Sequence, residues 1–150
     1  MGEPGFRRAT ASDIPAIVAM LADDDLGATR ETPGDLAPYL DAFATIDANP
    51  DQILVVAVDH DAVIGTAQVT FMASLSHRGM WRAEIEAVRV RSDQRGTGFG
   101  TRLIEWCIDE ARNRGCGMVQ LTSNASRRDA HRFYERLGFT ASHTGFKLRI

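Results

Sequence analysis

A strand-like run, Val88-Arg89-Val90, leads into Arg95-Gly96-Thr97-Gly98-Phe99-Gly100-Thr101, and this glycine-rich segment opens the most regular helix of the chain. Leu103, Ile104, Cys107, Ile108 and Ala111 recur at spacings of three and four, which predicts a helix over residues 98–113 ended by Gly115. Glycines let main-chain N–H groups approach a ligand closely, and the unpaired N–H groups and dipole of a helix start favour an anion such as phosphate. Two familiar phosphate cradles do not fit. A P-loop needs Lys followed by Ser or Thr after its last glycine, and here Gly100 is followed by Thr101-Arg102. A dinucleotide fingerprint with glycines at 96 and 98 needs a third at 101, where Thr stands. The bland alternative is a turn that only lets the helix pack; Arg95 and the local charge favour a ligand.

That charge is unevenly distributed. The 150 residues carry 17 basic and 20 acidic side chains, a net of −3 that excludes a strongly basic nucleic-acid binder. Residues 1–61 hold 12 acidic and 3 basic side chains, whereas residues 62–150 hold 8 and 14. An anionic ligand therefore belongs with the second part. No apolar run reaches the length of a membrane span, and Met1-Gly2-Glu3-Pro4 does not begin a signal peptide, so a cytoplasmic protein without membrane partners is expected. Cys107 and Cys116 have neither CxxC spacing nor a His cluster, which argues against a metal site and a disulfide framework. Cys107 falls on the apolar side of its helix and reads as a core thiol.

The rest of the chain reads as an α/β protein of the α+β kind with a mixed sheet, one domain over 1–150. A strand near Phe6–Ala9 precedes a capping-box spacing, Thr10-Ala11-Ser12-Asp13, and a helix carrying Ile14, Ile17, Val18 and Leu21. Asp23-Asp24-Asp25-Leu26-Gly27 breaks that helix, and a second is expected over 34–48. Ile53–Val58 and Val63–Met72 predict a hairpin around Asp59-His60-Asp61, followed by a polar loop, Ser74–Gly79. Arg82–Val90 is strand-like with apolar positions out of phase, as a bulge would make them. Met118–Thr122 predicts another strand, and Ser126-Arg127-Arg128-Asp129 a capped helix that Gly138 stops. Two further strands are expected near Phe139–Ser142 and Phe146–Arg149.

Arg95-Gly96-Thr97-Gly98-Phe99-Gly100 matches the R/Q-x-x-G-x-G/A signature of the GNAT superfamily of acyl-CoA-dependent N-acetyltransferases. Ala130-His131-Arg132-Phe133-Tyr134-Glu135-Arg136-Leu137-Gly138-Phe139 resembles that superfamily's A-x-x-F-Y-E-x-x-G-F signature, in the same order along the chain. Leu121-Thr122-Ser123-Asn124 and Arg127–Tyr134 are also similar to aminoalkylphosphonate N-acetyltransferases. The resemblance spans roughly residues 5–148. It implies about seven strands flanked by about four helices, with splayed central strands between which acetyl-CoA passes. The main chain of Val88, Arg89 and Val90 would bind the pantetheine arm, and Arg95, Gly96, Thr97, Gly98, Phe99, Gly100 and Thr101 the diphosphate. Many members carry Asn seven residues before the Tyr; Arg127 stands there, and Asn124, ten residues before Tyr134, is the substitute. A small-molecule primary amine as acceptor and a homodimer are further implications.

Amide formation from a thioester needs a neutral amine. Glu86, two residues before Val88, is the candidate proton acceptor, acting directly, through a water, or only by binding the ammonium; Glu84 is the reserve on the same face. Tyr134 resembles the superfamily's general acid for the leaving thiolate, and periodicity alone would make it a core-stripe residue. Main-chain N–H donation from Val88 would meet charge developing on the carbonyl oxygen. His131 is one turn from Glu135 and reads as an exposed pair; His77 lies in a loop that could border an acceptor site. Two other readings stay open: a non-catalytic acyl-CoA sensor that regulates a partner, and acetylation of a protein lysine or N-terminus.

Overall fold

The computed structural model describes residues 5–150, so the Met1–Pro4 segment judged above lies outside the described residues. The chain divides into two compact units, Met1–Gln120 and Leu121–Ile150. The sheet has the order β1-β2-β3-β4-β5: β1 (Gly5–Arg8), β2 (Gln52–Asp59), β3 (Ala62–Ala73), β4 (Trp81–Val90) and β5 (Met118–Leu121), all but the last residue of β5 lying in the first unit. Neighbours from β1 to β4 are antiparallel. The Gly117 N–H donates to the Trp81 carbonyl at 2.9 Å, and the Arg82 guanidinium reaches Gln120 Oε1 at 3.1 Å. Numbers thus rise together along β4 and β5, so that pair is parallel and the sheet is mixed. β5 is short, and among the described residues no strand runs beside Ala87–Val90 on that side of β4.

The β2–β3 hairpin turns through His60 and Asp61, both at positive φ (48° and 65°), the conformation a two-residue turn requires. α1 (Ile14–Ala22) begins with Pro15 in its first turn, and α3 (Ala37–Ala48) with Pro38. Between them lies a single helical turn, α2 (Gly27–Arg30), where the sequence suggested only a break. α1 and α3 cover one face of the sheet, with Ile14, Ile17, Val18 and Val56 buried between them and the strands. α5 (Phe99–Asn113) lies against β3 and β4 and buries Leu103, Ile104, Cys107 and Ala111. Gly65 faces Leu103 whereas its neighbour Thr66 faces the α1 and α3 side, so α5 covers the opposite face. Burial pushes the Cys107 thiol up to about 12, which matches the expected core cysteine. The Arg114 guanidinium lies 4.1 Å from the centre of the Phe71 ring and donates to the Pro50 carbonyl at 2.7 Å, fixing the end of α5 to the sheet.

Asp13 joins β1 to α1. Its carboxylate accepts from the Arg7 guanidinium at 2.7 and 3.1 Å and from the Thr10 N–H at 2.7 Å. The Arg7 hydrogen bond, chiefly, holds its pKa below the ordinary aspartate value. A lowered folded pKa contributes stability that is complete above the unfolded pKa of about 3.9 and is lost as pH falls through the folded value. Asp13→Asn should therefore cost about 1–2 kcal/mol at pH 7, discounted for the half-exposed Arg7. In urea unfolding, the deficit relative to wild type should narrow progressively on acidification below about pH 4; an unchanged deficit would contradict this assignment.

The second unit contains α6 (Arg128–Arg136), closed by Gly138 at φ 99°. Ser126 does not cap it: Arg127 occupies the cap position, and the Ser126 N–H and hydroxyl both donate to Asn124 Oδ1, at 3.0 and 2.7 Å. The strands expected near Phe139–Ser142 and Phe146–Arg149 do not form. Phe146 is 93% exposed and Leu148 88%. Alternation makes a strand only where a second strand completes its hydrogen bonds, and no ladder partner is provided here. Among the described residues there are five strands rather than seven, and the helices longer than one turn are α1, α3, α5 and α6. No helix among them is long and apolar enough to cross a membrane.

Candidate active site

Strand β4 supplies the first element of the site. Glu86 is opposite Gln68 and Arg89 opposite Thr66, so Ala87 and Val88 together face the single residue Ala67. This is a β-bulge, with Ala87 at φ 53°. The extra residue changes the parity of the strand: Glu84 and Glu86 share the α1 and α3 face with Arg89, although Arg89 is an odd number of residues away. Glu86 is exposed, and Glu84 is half-buried, accepting a 3.4 Å hydrogen bond from Gln120 Nε2.

The Arg89 side chain is committed within the fold. Its Nε lies 3.1 Å from Asp24 Oδ2, and its Nη1 donates to the Val88 carbonyl at 2.8 Å. The other Asp24 carboxylate oxygen accepts from the Gly27 N–H at 2.5 Å. Asp24 thereby ties the α1–α2 turn to the residue just past the bulge. Only glycine fits at 27, because a Cβ there would lie 1.8 Å from the Leu21 carbonyl oxygen. The sequence offered one signal for this arrangement, an Asp three residues before a Gly at the end of a helix, and the reading as a simple break missed it.

After β4 comes the glycine loop. Gly96 and Gly98 have φ of 77° and 88°, and a Cβ at either would meet nothing within 4 Å. Their conformation requires glycine, and the space beside them is open. Gly98 precedes α5 without a side-chain cap, so the first-turn N–H groups at Phe99, Gly100 and Thr101 remain available to an anion. Arg95 is exposed and forms no ion pair among the described residues. Thr97 Oγ1 donates to the Gln94 carbonyl at 2.5 Å and closes the loop on itself. Positive-φ glycines, an uncapped helix start and an uncommitted guanidinium together fit a diphosphate.

Tyr134, in the second unit, is half-buried between Phe133 and Phe139, with ring centroids at 5.2 and 5.8 Å in edge-on arrangements. The aromatic contacts orient the phenol ring. Asn124 is occupied in the turn before α6, since besides accepting from Ser126 its carbonyl meets the Arg127 N–H at 2.9 Å and His131 Nε2 at 2.9 Å. His131 thus braces this turn instead of pairing with Glu135. His77 sits at φ 54° in a single exposed turn, α4 (Ser76–Gly79). Among the described residues no group of three His, Cys, Asp or Glu is placed to hold a metal.

Comparison with known proteins identifies the family. The Acetyltransferase (GNAT) family matches residues 18–139. The aminoalkylphosphonate N-acetyltransferase of Salmonella typhimurium is 31% identical over 141 residues, covering 94% of this chain and 88% of that protein. The L-methionine sulfoximine/L-methionine sulfone acetyltransferase of Pseudomonas aeruginosa is 31% identical, covering 91% and 80%. The crystal structure of a transcriptional regulator from Bacillus halodurans C-125 superposes with a TM-score of 0.96 at 43% identity, covering 99% of this chain and 100% of that one. The family match over residues 18–139, with named acetyltransferases aligned over most of the chain, makes this chain a member of the GNAT family of acyltransferases, which use acetyl-CoA.

Proposed function

We propose that the protein moves the acetyl group of acetyl-CoA to the primary amine of a small molecule, directly, within a ternary complex. The reading rests on one arrangement: β4 carries Glu86 up to the bulge and then runs into the Gly96–Thr101 cradle. Bound acetyl-CoA supplies the acetyl thioester. Arg95 and the main chain of Gly96, Thr97, Gly98, Phe99, Gly100 and Thr101 hold the diphosphate; the main chain of Val88, Arg89 and Val90 orients the pantetheine arm, and Asn124 and Arg127 add contacts. An alkylammonium of pKa about 10.4 lies roughly 3.4 units above pH 7, a deprotonation cost of about 4.6 kcal/mol, so a carboxylate at the nucleophile has a large effect to supply. The amine nitrogen bonds to the thioester carbonyl carbon and the carbon–sulfur bond breaks. Glu86 takes a proton from the nitrogen, directly or through a water, and Tyr134 gives one to the thiolate, leaving an N-acetylamine and a free CoA thiol. The Val88 N–H meets the charge that develops on the carbonyl oxygen.

Purified protein with acetyl-CoA and a panel of amines should release CoA saturably with at least one of them. The panel should include 2-aminoethylphosphonate, polyamines, amino sugars, amino acids and arylalkylamines. The likeness to a transcriptional regulator favours a second reading, an acyl-CoA sensor without catalysis. Acetyl-CoA binding with no transfer to any amine, even in a single turnover, would support that reading and overturn the first.

A further inference from the structure

Beneath α1 and α3, on the face of the sheet that carries Glu86, lies a cavity of about 130 Å³. Its walls are Val18 and Leu21 from α1, Tyr39 and Phe43 from α3, and Leu54 from β2; Gln68 and Ala87 form the part nearest the bulge. α3 has no fully buried residue, and its inward stripe of Tyr39, Phe43 and Ile46 is only half-buried. A helix normally buries such a stripe, so this one stands over space that an apolar group would fill.

The polar atoms of the wall narrow what that group can be. The Tyr39 hydroxyl accepts from the Thr32 N–H at 2.8 Å and donates to Glu31 Oε1 at 3.1 Å. Thr66 Oγ1 donates to the Val55 carbonyl at 3.0 Å. Gln68 is half-buried, its amide makes no side-chain hydrogen bond among the described residues, and its cross-strand neighbour is Glu86. No lining residue is basic. The cavity therefore presents an apolar body with hydrogen-bonding capacity at one end, beside a carboxylate and the bulge.

We infer that this cavity takes the apolar body of the acceptor, and that the acceptor is a primary amine bearing an aryl or branched-alkyl group, its ammonium directed to Gln68 and Glu86. This rests on the acetyltransferase reading and adds the substrate class. An apolar cavity of about 150 Å³ holds a benzene ring, so the volume suits a phenyl-sized group. A phosphonate in the same place would be buried without a counter-charge, a costly arrangement. The Salmonella typhimurium relative is named for aminoalkylphosphonates, and by this inference the present chain differs from it in acceptor.

The test uses 2-phenylethylamine and 2-aminoethylphosphonate, with Ala42→Trp, an exposed α3 position that lines the cavity, as the blocking variant. Wild type should acetylate 2-phenylethylamine with kcat/KM about 10²-fold above that for the phosphonate. Ala42→Trp should raise the 2-phenylethylamine KM about tenfold and leave the acetyl-CoA KM unchanged. Should Ala42→Trp fail to fold, Ile46→Trp, one turn further on, serves the same purpose. Equal or reversed preference, or a KM indifferent to blocking, overturns the cavity assignment and leaves acetyl transfer standing. Protection of wild type but not of the blocked variant against thermal unfolding by 2-phenylethylamine, without CoA release, upholds the cavity and overturns acetyl transfer to this amine class. Neither protection nor transfer overturns the inference.

Discussion

Tyr134→Phe should bind acetyl-CoA within about twofold of wild type and turn over about 10²- to 10⁴-fold more slowly, the range that general acid catalysis contributes. The substitution removes one oxygen and keeps the ring, so the edge-on contacts with Phe133 and Phe139 persist. A structural role for the phenol would produce a different pattern, a loss of thermal stability with turnover reduced in proportion to folded protein. The discriminating readout is the pH profile of kcat. A phenol acts as a general acid only in its protonated form, so wild-type kcat should decline on the alkaline side, and Tyr134→Phe should lose that limb along with most of its rate. Unchanged turnover at every pH would remove Tyr134 from the chemistry.

Gly27→Ala should destabilise the protein by about 3 kcal/mol, at the upper end of ordinary overpacking, because the added Cβ meets backbone and no flexible side chain can yield. For a chain of this size that is a fall in Tm of about 6–12 °C. Gly34→Ala is the control. Nothing lies within 4 Å of a Cβ there, and its effect should remain within about 0.5 kcal/mol. Relief of the clash at Gly27 would also move the N–H that holds Asp24, and with it the ion pair to Arg89. Acetyl-CoA affinity should therefore fall in Gly27→Ala even at temperatures where the variant is fully folded. A variant as stable as Gly34→Ala would show that the α1–α2 turn relaxes without cost.

These two residues show how far the sequence could be read. The glycine loop and α5 were legible because their signals are local: positive φ falls on glycine, apolar spacing marks the helix, and the expected 98–113 becomes Phe99–Asn113. The capped entry to α1 was legible for the same reason. The two terminal strands expected to complete the α/β pattern do not form, because a strand's hydrogen bonds require a distant partner that a short local run does not specify. Gly27 looked like a break because its constraint is a contact with Leu21 that only the folded turn brings about. The sharing of one face by Glu86 and Arg89 was hidden by the bulge, which defeats counting by twos although it was suspected from the irregular pattern of β4. The cavity left no trace in the sequence. The apolar side expected of the 34–48 helix is Leu36, Leu40, Phe43 and Ala44, yet Leu40 and Ala44 are exposed and Tyr39, Phe43 and Ile46 line the cavity, because how α3 sits on the sheet is set by packing across elements distant in the chain.

The bulge also has an energetic meaning. Ala87 holds a left-handed backbone at φ 53°, a region that disfavours every side chain larger than glycine's hydrogen by about 1 kcal/mol. A regular strand through the same residues would escape that penalty, but it would turn Arg89 away from Asp24 and align the strand in one unbroken phase. The protein thus tolerates local instability in exchange for a reversal of facing direction within three residues. A conformation so disfavoured persists only while the surrounding sheet and the Asp24 tether impose it, which makes the bulge the point where loosening of the fold should first appear as lost function.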